Sequence, residues 1–151
     1  MGVPSKVRRP SGPRMAALVL AGAAALALSA CHPPPRISVA DALGTEVTRE
    51  VVFPVTLNAS GASNPRTSHV DVQLFCTTTA GTATSVVDFV PWAGQQCGVI
   101  DAGEFTTDVR VLVVPDAVTE SGIESFTLDV RPEGGGVGVV DGRALGLIKD
   151  R

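Results

Sequence analysis

The chain has 151 residues and a mass of 15.5 kDa, a length that suits one domain rather than two. Glycine, proline, valine and threonine are frequent while lysine, glutamate and glutamine are sparse, which disfavours long helical bundles. The formal net charge is −3, but the part after Cys31 carries 8 basic and 15 acidic residues. A surface with a net charge of −7 repels phosphate backbones, so we expect no nucleic-acid partner.

The N-terminal region has the layout of a secretory signal peptide. Residues 1–14 are basic, and residues 15–30 form an uninterrupted run of small and apolar side chains. These 16 residues are fewer than the roughly 20 that a membrane-spanning helix needs. We therefore predict a signal peptide over residues 1–30, and leave open whether translation starts at Met1 or at Met15.

Residues 28–31 (LSAC) resemble the lipobox of bacterial lipoproteins, in which the cysteine is lipidated and the chain is cut before it. The resemblance implies that Cys31 carries lipid and anchors the protein to a membrane. The lipidated cysteine and a proline-rich tether together occupy residues 31–36. His32 after the cysteine resembles lipoproteins sent to the outer membrane, so we expect an exported, lipid-anchored envelope protein. The alternatives are an ordinary signal peptide with a chance cysteine and a twin-arginine signal at Arg8–Arg9.

The two remaining cysteines, Cys76 and Cys97, are an even number in an exported and oxidising setting. A disulfide between them closes a loop of roughly 20 residues, for which chain entropy gives a stabilisation of about 3 kcal/mol. Two buried free thiols are the alternative.

From Ile37 onward, apolar and polar residues alternate with a period of two, which predicts half-buried strands separated by glycine, proline and asparagine breakers. Pro54 interrupts one strand and predicts that it lies at a sheet edge or carries a bulge. The fold class that follows is an all-β antiparallel sandwich of about seven strands over residues 37–151. Its predicted inward-facing sets are Val51, Phe53, Val55 and Leu57; Val70, Val72, Leu74 and Cys76; Val109, Val111 and Val113; Phe126, Leu128 and Val130; and Ala144, Gly146 and Ile148.

Catalytic chemistry finds little support in the sequence. A nucleophilic enzyme needs a base beside its nucleophile, but His32 and His69 stand without a surrounding motif. Acidic side chains near strand ends remain as candidates, because calcium takes 6 to 8 oxygen ligands in irregular geometry. Ordinary surface carboxylates are the alternative explanation for these acids.

A family resemblance gives these acids a specific meaning. Residues 81–84 (GTAT), 87–89 (VDF), 101–104 (DAGE) and 124–128 (ESFTL) resemble the pattern of the Calx-beta domain. This module occurs in sodium/calcium exchangers and in many bacterial surface proteins. The resemblance implies an immunoglobulin-like β-sandwich of seven strands. Calcium-binding members of the family place acids from several loops at one end of this sandwich.

The resemblance implies candidate calcium ligands, but this chain departs from the pattern of the binding members. Pro115 and Ala117 stand where those members have Asp, and Lys149 and Arg151 flank the last acid. We therefore expect one weakly bound calcium ion or none, since ligand charge tunes calcium affinity. The candidate ligands are Glu46, Asp88, Asp116, Glu120, Glu124 and Asp150.

Three functional hypotheses follow. The first is a non-catalytic, lipid-anchored envelope module for adhesion or partner recognition, which binds an unidentified protein or a surface glycan and takes calcium as its cofactor. The second is a purely structural envelope lipoprotein with an ion-free site. The third, a small hydrolase, lacks a paired base and nucleophile in the sequence.

Overall fold

The computed structural model describes Gly2 and residues 34–59, 67–116 and 122–150. Cys31, Glu120 and, apart from Gly2, the predicted signal peptide lie outside these residues. No helix of the described part is long and apolar enough to cross a membrane. The described strands belong to the compact unit His32–Arg151 and are β1 (Pro35–Val39), β2 (Ala42–Thr45), β3 (Glu50–Ala59), β4 (Val72–Ala80), β5 (Ala93–Ile100), β6 (Thr106–Leu112), β7 (Ile123–Glu133), β8 (Gly138–Asp141) and β9 (Arg143–Lys149).

The strands form two hydrogen-bonded groups that join at a short β2–β3 pairing. One group has the order β5-β4-β7-β9-β2, and the other contains β3 bonded to β6 and β1, with β8 beyond β1. The ring of Phe53 on β3 meets that of Phe126 on β7 edge to face at 5.9 Å, although these strands are not bonded to each other. The two groups therefore pack face to face, which confirms the predicted all-β sandwich.

The core consists mainly of the alternate residues that β1, β3, β4, β6, β7 and β9 turn inward. The predicted sets on β3, β6, β7 and β9 are buried, as are Val72, Leu74 and Cys76 on β4. Because the side-chain period of a strand is two, one buried residue fixes the inward face of the whole strand. The sequence pattern was sufficient to identify these faces.

Gly146 on β9 is required by the packing of this core. A Cβ atom at this position would overlap the ring of Phe126, which is itself buried and stacks on Phe89 with ring centroids 4.5 Å apart. The ring occupies the space that a side chain on β9 would need. Glycine therefore lets the aromatic cluster fill the centre of the sandwich.

The structure differs from the sequence prediction in the number and pairing of its strands. The described residues contain nine strands rather than about seven. Two of them, β1 and β2, are separated only by Ala40–Asp41. There the chain passes between the two groups, so that β1 pairs with β8 and β2 with β9, both in parallel. The remaining strand pairs are antiparallel.

Two local predictions are wrong. Val70 does not face the core: it is 51% exposed and precedes β4, which begins at Val72. Pro54 does not mark an edge strand, because β3 is bonded to β6 on one side and to β2 and β1 on the other. The carbonyl of Pro54 accepts from the Ala40 N–H at 3.1 Å. The Pro54 nitrogen, which carries no hydrogen to donate, therefore also faces the β1–β2 crossover.

The predicted disulfide is confirmed. Cys76 on β4 and Cys97 on β5 are bonded, with Cα atoms 5.7 Å apart and a sequence separation of 21 residues. The sulfur of Cys76 lies in the core, so the bridge fixes the terminal strand β5 to the rest of its group.

Candidate metal centre

One end of the sandwich gathers the predicted acids. The strands β2, β6 and β9 end there, and β3 and β7 begin there. We call this end the acidic pole and define it by its five described acids, all of them half-buried: Glu46, Asp88, Asp116, Glu124 and Asp150. Antiparallel and crossover connections thus bring together residues that are more than 100 positions apart in the chain.

Glu46 is the most closely surrounded of these acids. Its backbone N–H donates to the Lys149 carbonyl at 3.3 Å, and its Oε1 accepts from the Asp116 N–H at 3.4 Å. Burial, a side-chain hydrogen bond to Asp150 and the charges of Asp150 and Asp116 raise the pKa of Glu46 above its ordinary value of 4.5. The backbone hydrogen bond from Asp116 acts in the opposite direction. The protonated form of the Glu46 carboxyl is therefore easier to reach here than in a free glutamate.

Asp88 is held at the pole by a tight loop. Its Oδ2 accepts from the Thr84 N–H at 2.6 Å, and its own N–H donates to the Thr84 carbonyl at 2.9 Å. The next residue, Phe89, is fully buried and forms a bridge to Val113 after the end of β6. The buried ring anchors the loop, and the loop in turn fixes the direction of the Asp88 carboxylate.

The loop also contains a strained residue. Val86 has a φ of +72°, a conformation that β-branched residues rarely adopt. Its N–H donates to the Phe89 carbonyl at 2.8 Å, which closes the loop around this conformation. Val86 and Val87 are 70% and 54% exposed, so the loop presents two aliphatic side chains to solvent beside an acid.

Four acids line one small cavity at the pole. Glu46, Asp88, Glu124 and Asp150 surround a space of about 10 Å³, together with Val113 and other neighbours. About 10–15 Å³ is the space that a single water molecule needs, so the cavity accommodates one atom-sized guest rather than several. In the described residues, no group of three His, Cys, Asp or Glu side chains converges as metal ligands do. The acids share a cavity, but they would have to reorient to coordinate an ion.

Three other candidate residues do not belong to the described acidic pole. Asp41, another acid near a strand end, accepts from the Leu145 N–H at 2.7 Å and thereby stabilises the backbone between β2 and β9. His69 lies exposed in the bend before β4, with no acid or hydroxyl bonded to it in the described structure. Glu120, the remaining predicted ligand, falls outside the described residues.

Sequence reasoning missed Thr84, whose backbone orients Asp88. The signal was available in the four-residue spacing between Thr84 and Asp88, which suits a loop closed by side-chain to backbone hydrogen bonds. It also missed the contact between Glu46 and Asp150, which depends on the parallel pairing of β2 with β9.

Comparison with solved structures identifies the fold. The apo-form Calx CBD1 domain is similar with a TM-score of 0.57 and 23% identity, covering 78% of this chain and 97% of that domain. The Calx CBD2 domain gives a TM-score of 0.58 at 12% identity and covers 78% of this chain and 88% of the domain. The calcium binding domain CBD12 of CALX1.1 gives 0.57 at 20% identity, with 76% of this chain but 45% of that structure covered.

These similarities cover nearly the whole length of the CBD1 domain and less than half of CBD12. No family model matches the chain, and no curated protein sequence matches it. At identities below 25%, the likeness concerns the fold. The described domain is a Calx-beta-like β-sandwich.

Proposed function

We propose that this protein is a non-catalytic binding module of the bacterial cell envelope, anchored by lipid on Cys31 and rigidified by one calcium ion at the acidic pole. The observation that carries the proposal is the shared cavity, which brings together the acids that follow β2 and β9, one from β7 and one from the β4–β5 loop. Bringing several carboxylates together at one point costs electrostatic free energy, because like charges repel. A cation at this point would offset that cost.

The donor set suits calcium rather than a transition metal. Every candidate ligand is a carboxylate, a hard oxygen donor that calcium and magnesium prefer. Glu46, Asp88, Glu124 and Asp150 would hold the ion, with Asp116 beside them. An ion entering the cavity would compete with protonation of Glu46, whose pKa is raised, so binding would strengthen as the pH rises.

The cavity size supports one ion. Its 10 Å³ leave no room for two cations, and Lys149 next to Asp150 adds a positive charge nearby. These features agree with the missing acids at Pro115 and Ala117, and with low affinity for the ion.

The first described strand of the domain begins far from the acidic pole. Pro35 starts β1 opposite Ala59, the last residue of β3, whereas Glu50 starts β3 beside the acidic pole. The ten residues of β3 span about 33 Å at the usual strand rise. Pro35 therefore lies at the end of the sandwich opposite the acidic pole.

A second candidate function is a structural envelope lipoprotein without an ion. Its support is the hydrogen bond between Glu46 and Asp150, which relieves charge repulsion with a proton instead of a metal, and the lack of converging metal ligands in the described residues. The two candidates differ in their response to calcium.

Thermal unfolding of fragment 32–151, which comprises the compact unit with its own core, separates them. A ligand at 100 times its dissociation constant stabilises by about 2.7 kcal/mol, so millimolar calcium should raise the melting temperature by several degrees relative to EDTA. Asp88→Asn and Glu46→Gln should abolish this shift. Glu133→Gln, at a distant and exposed acid, should retain it. Coincident curves in calcium and EDTA would instead support the ion-free protein.

The anchor is tested separately. The full chain produced in a bacterium should incorporate labelled palmitate and partition with membranes, and Cys31→Ser should lose both properties. Membrane partitioning that survives Cys31→Ser would contradict lipid anchoring, whatever the outcome with calcium.

A further inference from the structure

A groove crosses the outer face of the β5-β4-β7-β9 group, on the side turned away from the core. Its volume is about 600 Å³, within the range of roughly 300–1,000 Å³ that small-ligand sites occupy. The floor is formed by Phe75 and Thr77 on β4 and by Gly94 on β5, and the walls by β7 and by the β8–β9 connection. None of these residues belongs to the acidic pole.

Phe75 is an aromatic platform in this groove. Its neighbours Leu74 and Cys76 are buried in the core, so the alternation of β4 turns Phe75 to the outer face, where it is half-buried. By contrast, Phe53, Phe89 and Phe126 fill the interior. A ring on the outer face of a sheet offers a flat apolar surface to a ligand.

Two glycines shape the groove. Gly94 has a φ of +86° and carries no side chain beside Thr77, which leaves the floor open on the β5 side. A Cβ on Gly142 would lie 2.8 Å from the Val130 carbonyl oxygen and 2.9 Å from a methyl carbon of Val139. The absence of a side chain there lets the β8–β9 connection approach β7 and form the wall.

The groove carries balanced and fixed charges. Arg143 donates from Nε to Asp129 Oδ1 at 2.8 Å and from Nη2 to Asp129 Oδ2 at 3.2 Å. The Arg143 backbone N–H donates to Asp141 Oδ1 at 3.2 Å, and Arg131 completes a set of two cations and two anions. The net charge of the lining is zero, and donors and acceptors lie side by side above an aromatic floor.

We propose that this groove binds a neutral saccharide. The C–H face of a sugar ring would lie on Phe75, and its hydroxyl groups, which both donate and accept, would bridge Asp129 and Arg143. An anionic ligand would have to compete with Asp129 for Arg143 and with Glu133 for Arg131. A purely apolar ligand would bury these ion pairs without replacing their contacts with water. The site is independent of calcium and of the lipid anchor.

The test uses fragment 32–151 and a panel of neutral hexasaccharides: cellohexaose, maltohexaose, chitohexaose and mannohexaose. Saturation-transfer difference NMR detects contact, and titration of ¹⁵N-labelled fragment follows the backbone amides of Gly94 and Gly142. We expect at least one hexasaccharide to bind at millimolar concentration and to shift these amides in a saturable way. EDTA should leave this binding unchanged.

Variants locate the site without disturbing the core. Thr77→Trp places a large ring in the groove from an exposed position and should abolish binding. Phe75→Leu keeps an apolar side chain but removes the flat ring, and should weaken binding about tenfold. Arg143→Met should also weaken it, whereas Arg110→Met, which breaks the similarly exposed pair with Glu50 on the other group of strands, should not.

Three outcomes would overturn the proposal. One is failure of every neutral hexasaccharide to bind to a fragment whose spectrum shows that it is folded. Another is stronger binding of a heparin hexasaccharide than of any neutral one, which would assign the groove to anions. The third is binding that persists unchanged in Thr77→Trp, which would place the contact elsewhere on the surface.

Discussion

The core and the acidic pole of this domain are packed according to opposite constraints. In the core, Phe53, Phe89, Phe126 and the glycine at 146 fit together so closely that the main constraint is shape. At the pole, Glu46 and Asp150 are held within hydrogen-bonding reach of each other, and the main constraint is charge. The core stabilises the fold through close packing, whereas the pole keeps a carboxyl group whose pKa is raised, which lowers stability at neutral pH. Changes in the core should therefore lower stability strongly, and selected changes at the pole should raise it slightly.

The largest expected effect comes from Gly146→Val. The added side chain would collide with the buried ring of Phe126, which is enclosed by Phe53 and Phe89 and has no free space to enter. Overpacking of a core costs about 1–3 kcal/mol and sometimes more, and we expect the upper end here. Urea unfolding of fragment 32–151 measures the loss. The control is Gly122→Val, a glycine with open space around it, which should have a much smaller effect.

Removal of the disulfide should cause the second-largest loss of stability. Replacing both Cys76 and Cys97 with Ala opens a loop of 21 residues, for which chain entropy predicts a loss of about 3 kcal/mol. The same urea measurement applies, and reduction of the unmodified fragment with dithiothreitol should lower its stability by a similar amount. Equal stability of the oxidised and reduced forms would show that the core alone holds β5 in place.

Removal of a negative charge at the pole should raise the stability of the domain, whereas the two changes above lower it. The pKa of Glu46 is raised in the folded protein, so its contribution to stability is fully present below the ordinary value of 4.5 and is lost as the pH rises through the raised value. In EDTA at neutral pH, Glu46→Gln should therefore raise the melting temperature and reduce its fall between acidic and neutral pH. Glu50→Gln, which removes an ion pair with Arg110, is the control and should not raise it. A lower melting temperature for Glu46→Gln in EDTA would show that the pole is stable as it stands.

The smallest expected effect concerns the strained loop beside Asp88. Val86→Gly relieves a left-handed conformation that costs an L-residue about 1–2 kcal/mol, partly offset by the greater freedom of glycine in the unfolded chain. We expect a net stabilisation of about 0.5–1 kcal/mol in calorimetry. Val87→Gly, at the neighbouring exposed valine without a positive φ, should instead destabilise. Stabilisation by both variants, or by neither, would remove the basis for a strain specific to Val86.

The sequence by itself determined the inward faces of the strands and the pairing of Cys76 with Cys97. Alternation is a local property with a period of two, and the two cysteines after Cys31 can form only one disulfide with each other. It also pointed to most acids of the pole, because Glu46, Asp88 and Asp150 lie at strand ends or in loops. Its errors at Val70 and Pro54 arose where the start of a strand and the identity of its neighbours depend on the rest of the chain.

Only the tertiary structure decided which of these residues meet. The contact between Glu46 and Asp150 depends on the parallel pairing of β2 with β9, and that pairing depends on the crossover at Ala40–Asp41. The groove likewise depends on the register that places Phe75 opposite Arg131, and Asp129 opposite Arg143. Strand faces follow from nearest neighbours in sequence, whereas sites follow from the pairing of distant strands, which no local pattern encodes.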